Sequence, residues 1–296
     1  MSSGIPTRRA YLAWMAVCLI WGTTYLFIRI AIETIPPLLM AACRWIVAGA
    51  VLLLVCRARG ARLPSPRAWP SLAARGLLLL GFGNGAVAWA EQAVPSGLTA
   101  VLVAIVPFWM VGIDALLGGS APPSARQLVG LVVGFGGIVV MVWPELWAGV
   151  TGHAFLSGIA ATQLACVGWA LGSTYARRRG GQRDEETFPA VALEMLFGGL
   201  LLLIAGSLMG EWASATVTLR TGTALAYLIL VGSVGGFSAY RYALQHLPVA
   251  TVSLYAYANT VIAILLGVIV LGETFNWRMG VAAAAALAGI ALVRQG

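Results

Sequence analysis

Side chains able to do chemistry stand inside the longest apolar stretches of this sequence. Between residues 249 and 271, Thr251, Tyr255 and Asn259 share one stripe of a helical projection. Ser253, Tyr257 and Thr260 share another, about half a turn away. The first stripe is the one expected to face a cavity. Asn259 and Asn84 offer donors and acceptors that can read an ammonium and a carboxylate without burying a full charge. The plainer use of a membrane asparagine is an interhelical hydrogen bond worth about 0.6 kcal/mol, and at this point both readings stand.

Trp21, Trp89, Trp109 and Trp169 lie deep in apolar runs, as do Tyr240, Tyr242, Tyr255 and Tyr257. Helix packing explains any one of them. As a set they suit a cavity wall that stacks on flat or apolar groups, with cation–π contact to a substrate ammonium adding about 0.5 to 2 kcal/mol. Trp14, Trp69, Trp143, Trp147, Trp212 and Trp277 fall near the ends of apolar runs, where they serve as interfacial anchors.

Charges inside such runs are costly and point to function. Arg29 and Arg241 lie near run ends and can snorkel to water. Asp114 and Glu194 are candidate proton sites, since a buried carboxyl titrates nearer neutral pH. Arg44 and Glu194 fall at matching places in the two halves described below and need not pair. Hydrolytic chemistry finds no support. Ser233 and His246 are separated by about 20 Å on one helix, and no His-Glu-x-x-His string or Cys/His metal cluster is present in the sequence. The glycine-rich GFGNG lies inside an apolar run, so a dinucleotide loop is rejected. No cofactor and no metal is expected.

The elements that must position these groups follow from composition. Of 296 residues, 60% are hydrophobic and 9% charged, too little polar surface for a soluble fold. Apolar runs of about 20 residues, the length of a helical crossing, are placed at 10–32, 37–56, 72–91, 97–117, 126–143, 154–176, 188–208, 222–243, 249–271 and 278–293. The expectation is an all-α integral membrane protein of ten spans. The first run is too long, and lacks the cleavage pattern, for a signal peptide. The four cysteines sit in apolar runs and behave as small hydrophobes. Net charge +8 comes from arginine alone, and the arginines cluster in alternate loops: Arg57, Arg59, Arg62 and Arg67 in one, Arg177, Arg178, Arg179 and Arg183 in another. The loops between hold Glu33, Glu91, Glu145, Glu211 and Glu273. That pattern places both termini in the cytoplasm and makes the charge topogenic, not a nucleic-acid surface.

The chain also repeats itself. EQAVPSGLTAVLVAIVP (91–107) aligns with LQHLPVATVSLYAYANT (244–260): Gln92 falls on Gln245 and Pro95 on Pro248. The same shift sets Trp89 on Tyr242 and Gly83 on Gly236, and, with small gaps, Trp21 meets Trp169. The expected organisation is a cytoplasmic tail (1–9), a five-span repeat (10–145) and a second (154–294). An odd number of spans per repeat inverts the halves, a construction used by secondary transporters with a site at the midplane. Gly83 and Gly236 mark equivalent hinge or kink positions in spans three and eight. Gly130 and Gly134 in span five, and the alanine-glycine face of span ten, allow close packing or a dimer; the expected state is a monomer.

WGTTYLFIR in span one, YRYALQHLPVATVSL before span nine and LGETFNWRMGVAAAAALAGIAL at the end resemble the drug/metabolite transporter superfamily, and within it the EamA branch. The resemblance covers nearly the whole chain. It departs in the first half, where LGGSAPPS puts Ser120 in the place of the Leu-Gly-Glu glutamate. It implies a ten-helix basket with a central cavity working by alternating access in a bacterial inner membrane. Its narrower form, YddG-type exporters, implies aromatic or other hydrophobic amino acids as substrates. The substrate site expected from these observations comprises Trp21, Asn84, Trp89, Trp109, Trp169, Tyr242, Tyr255 and Asn259. Other small molecules, such as cationic drugs and nucleosides, remain the alternative cargo. A channel and an intramembrane enzyme are the competing classes.

Overall fold

Proline opens these helices and glycine closes them. Span two starts at Pro37 after an extended Pro36, and span four at Ser96 after an extended Pro95, so chain direction reverses without spending helical hydrogen bonds. Spans two, seven and nine are followed by Gly60, Gly210 and Gly272, each with φ between 66° and 73°, a left-handed conformation that a side chain would strain.

The computed structural model describes residues 8–117, 153–178, 187–247 and 255–295, with scattered positions between 124 and 140. All regular structure among them is helical. Six helices there are long and apolar enough to cross a bilayer: Arg8–Ala31, Pro37–Ala58, Pro66–Ala90, His153–Ala176, Phe188–Leu208 and Leu219–Tyr240. Shorter apolar helical stretches, Ser96–Met110 and Ala258–Leu271, stand where spans four and nine are expected, and Trp277–Gln295 where span ten is. The expected span five and Ser120 fall largely or wholly outside the described residues, as do Gly134, Trp143, Trp147, Thr251 and Ser253.

Contacts between helices come in matched sets. Span one packs on spans eight and nine, and span six packs on spans three and four. Span two packs on the middle of span eight as span seven does on the middle of span three, and spans two and seven pack along their lengths. Small residues make that seam. A Cβ on Gly49 would meet the Ala192 carbonyl oxygen at 2.8 Å, and one on Gly199 would meet Ile46. Gly76 and Gly198 likewise bring spans three and seven together. Around the seam lies the main apolar core, which includes Met40, Ala41, Trp45, Ala48, Met195 and Leu228.

Two glutamates read from the sequence as loop charges have positions that matter to the scaffold. Gly272 turns the chain, and Glu273 then accepts hydrogen bonds from Ser96 N (2.7 Å), Ser96 Oγ (2.8 Å) and Gly97 N (3.1 Å). The Leu-Gly-Glu string therefore satisfies the orphan amides at the start of span four and sets a negative charge on that helix terminus. Glu211 does the same for span two, accepting from Leu38 N at 3.3 Å and Leu39 N at 2.9 Å. Replacing Glu273 by alanine strands the Ser96 and Gly97 donors, at a cost of about 2 kcal/mol. Glu273→Ala is thus expected to lower the thermal midpoint in detergent, and more than Glu211→Ala, which loses two bonds rather than three.

Candidate functional site

Spans three and eight do not stay α-helical through their middles. Each widens into a π-helix, over Leu77–Gly85 and Leu228–Gly235. A π turn leaves carbonyls out of register with their usual donors and recurs at functional positions. Asn84 fills one such gap, donating Nδ2 to the Leu79 carbonyl at 3.2 Å. The Gly232 carbonyl in the other takes a bond from Trp21 Nε1 at 3.1 Å. Of the glycines expected to act as hinges, Gly83 lies inside the first segment and Gly236 directly follows the second, and both are close-approach points. A Cβ on Gly236 would overlap the Trp21 indole, and one on Gly83 would meet Trp169 Cε3 at 3.3 Å.

Trp21 is consequently the centre of an aromatic nest. Its ring lies 6.4 Å from Trp169, edge to face, 5.2 Å from Phe237, 5.0 Å from Tyr240 and 5.1 Å from Tyr255. Tyr240 and Tyr255 are themselves 5.8 Å apart at 86°. Phe237 continues the nest to Trp45, 5.5 Å away. Four helices supply these rings: span one Trp21, span six Trp169, span eight Phe237 and Tyr240, and span nine Tyr255. Arg44 borders the nest. Its guanidinium carbon lies 4.4 Å over the Trp45 ring, and its Nε donates to Ser233 Oγ at 2.9 Å. The cluster thus sets flat apolar ring faces beside a buried guanidinium.

The expected site residues divide accordingly. Trp21, Trp169 and Tyr255 come together in the nest. Asn259 is buried beside it. In the orientation that satisfies its amide, Nδ2 donates to the Tyr255 carbonyl (3.0 Å) and to the Cys18 carbonyl of span one (2.9 Å), which clamps span nine to span one. Tyr242 stacks on His246 at 4.3 Å, toward the end of span eight. Trp109 donates Nε1 to Gln163 Oε1 at 3.1 Å, joining span four to span six. Trp89 lines a separate apolar groove of about 520 Å³ with Gly81, Phe82, Leu164 and Leu201, between spans three, six and seven. Phe82 and Leu164 are exposed there, as expected for a lipid-facing surface. Of the candidate proton sites, Asp114 has a side chain outside the described ones. Glu194 is buried and ion-paired with Arg75 at 3.0 Å, joining spans three and seven.

Sequence reasoning passed over Phe237, Trp45 and Arg75, and left Tyr240 out of the site. The signal for Phe237 and Tyr240 was their spacing from Gly236 on one helical face. The signal for Trp45 was its place next to Arg44 inside a span. Arg75 sits in the first turns of span three, as a charge in an apolar run that should have been sorted with the others.

This sequence matches the EamA-like transporter family over residues 8–143 and again over 156–295. The chain belongs to the EamA-like transporter family. Among relatives of this EamA-like protein, the "Uncharacterized inner membrane transporter YedA" of Escherichia coli (strain K12) is 38% identical over 269 residues, spanning 89% of this chain and 83% of the relative. A "Probable terminal-alkyne amino-acid exporter" of Streptantibioticus cattleyicolor is 25% identical over 289 residues, spanning 97% and 94%. A crystal structure at 22% identity covers 97% of both chains with a TM-score of 0.68 and shares the fold. The EamA-like protein is therefore a membrane transporter, and the groups described above are to be read as parts of a transporter rather than of an enzyme.

Proposed function

We propose that this EamA-like transporter exports aromatic or other hydrophobic amino acids, by alternating access of two inverted five-span halves about the nest at Trp21 and Trp169. The observation that carries the reading is the contact of those two rings. They are equivalent residues of the two halves, and equivalent residues that touch lie close to the axis relating the halves. That is where alternating-access transporters place their substrate. The paired helix contacts and the two π segments support the same symmetry. The arginine-rich loops support cytoplasmic termini in an inner membrane. The amino-acid exporter among the relatives supports the cargo class.

The test is efflux from liposomes containing the purified protein. Saturable release of phenylalanine or tryptophan, competed by unlabelled amino acid, is the expected result. Unsaturable release indicates a pore. Movement of nucleosides or cationic drugs, with no amino acid moving, overturns the cargo assignment while leaving the carrier.

A further inference from the structure

Glu91 follows the last helical residue of span three, at the turn into span four. Its side chain is fully buried, at 0% exposure, and neither carboxyl oxygen has a hydrogen-bond partner. The other described glutamates are all engaged: Glu33 with Arg220, Glu194 with Arg75, Glu211 and Glu273 with helix N-termini. Four groups on three neighbouring segments bear on Glu91 electrostatically. They are Tyr25 and Arg29 of span one, Arg44 of span two, and Glu273 after span nine. Glu91 makes no ion pair with either arginine.

A carboxylate taken out of water without a hydrogen bond is too costly to persist, and such a group takes up a proton instead. The two arginines reverse that preference once the packing opens and either of them, or water, reaches the carboxyl. The scaffold does not ask for an acid at this place, since the repeat sets Leu244 opposite Glu91. We propose that Glu91 is the proton-binding site of this transporter, occupied in the arrangement seen here, where it is buried, and emptied when the halves rearrange. A proton so bound favours one state over another, and by linkage couples the transport cycle to the proton gradient. This rests on the alternating-access reading, but proton binding itself can be measured without any substrate.

The experiment therefore has two arms. In the first, infrared difference spectra between acid and alkaline pH are recorded on purified protein in detergent. Wild type is expected to show the carbonyl band of a protonated carboxyl, which Glu91→Gln lacks and exposed Glu33→Gln keeps. A band of wild-type intensity in Glu91→Gln overturns the proposal. If Glu91→Gln does not fold, Glu91→Asp is used, and a band left unmoved there overturns it equally. In the second arm, an imposed pH gradient is applied to liposomes exchanging phenylalanine. Wild-type exchange is expected to change several-fold and that of Glu91→Gln not at all. Wild-type exchange indifferent to the gradient overturns the coupling. If no amino acid moves in either protein, the cargo assignment fails, and the infrared arm still decides Glu91.

Discussion

Glu194→Gln is expected to destabilise the protein by about 3 to 5 kcal/mol, seen as a large drop in thermal midpoint and in the amount of protein recovered from membranes. Glu194 and Arg75 are both buried and lie 3.0 Å apart between spans seven and three. Taking both charges out of water has already cost several kcal/mol per ion, and their mutual attraction offsets it. Glutamine keeps the shape but leaves the Arg75 guanidinium buried beside a neutral amide. The close seam nearby prevents relief by movement, because Gly76 and Gly198 press the two backbones together. The double variant Arg75→Met with Glu194→Leu should recover most of the loss, since an apolar pair of similar volume bears no desolvation cost. A double variant as unstable as the single one would show that the two charges do more than cancel each other. If instead Glu194→Gln is fully stable, the pair does not hold the helices together.

Much of this scaffold could be read from residue order, because a membrane reduces folding to few choices. Every backbone polar group in hydrocarbon must be satisfied within the chain, so apolar length predicts helices. The expected equivalence of Trp21 with Trp169, and of Gly83 with Gly236, rests on residue order in the same way, since an internal repeat preserves order. What could not be read was the side each side chain faces. Trp89 and Tyr242 match in the alignment yet lie in different surroundings, one at a lipid-facing groove and one stacked on His246 near a span end. Depth along a span is a one-dimensional quantity, whereas joining the nest also requires rotation about the helix axis. The π segments change that rotation partway along spans three and eight, so a 3.6-residue projection drawn through them loses register. Glu91 escaped for the opposite reason. Its position after a span reads as a water-facing loop, and only the folded chain, in which it is 0% exposed, reveals burial.

Trp21→Ala is expected to be the most damaging change in the nest, and its signature separates a substrate wall from ordinary packing. The side chain is 8% exposed, touches four other aromatic rings and donates to the Gly232 carbonyl. Removing it costs about 3 to 5 kcal/mol of stability, as for other large-to-small aromatic truncations. Trp21→Phe keeps most ring contact and loses about 1 kcal/mol with the indole N–H. Gly236→Ala acts on the same ring from behind, since its new methyl overlaps the indole, and costs about 1 to 3 kcal/mol. In a Trp21→Ala background that cost should vanish, because the clashing partner is gone, and the two effects should fail to add. Gly83→Ala, with 3.3 Å to Trp169, should be milder. The decisive measurement is selectivity in the Phe variant, which remains folded. If the nest grips substrate, the ratio of tryptophan to valine efflux falls, because stacking area is lost for flat side chains and not for small ones. If the rings only pack helices, both fluxes fall together and the ratio stays at the wild-type value, which would move the substrate away from the nest.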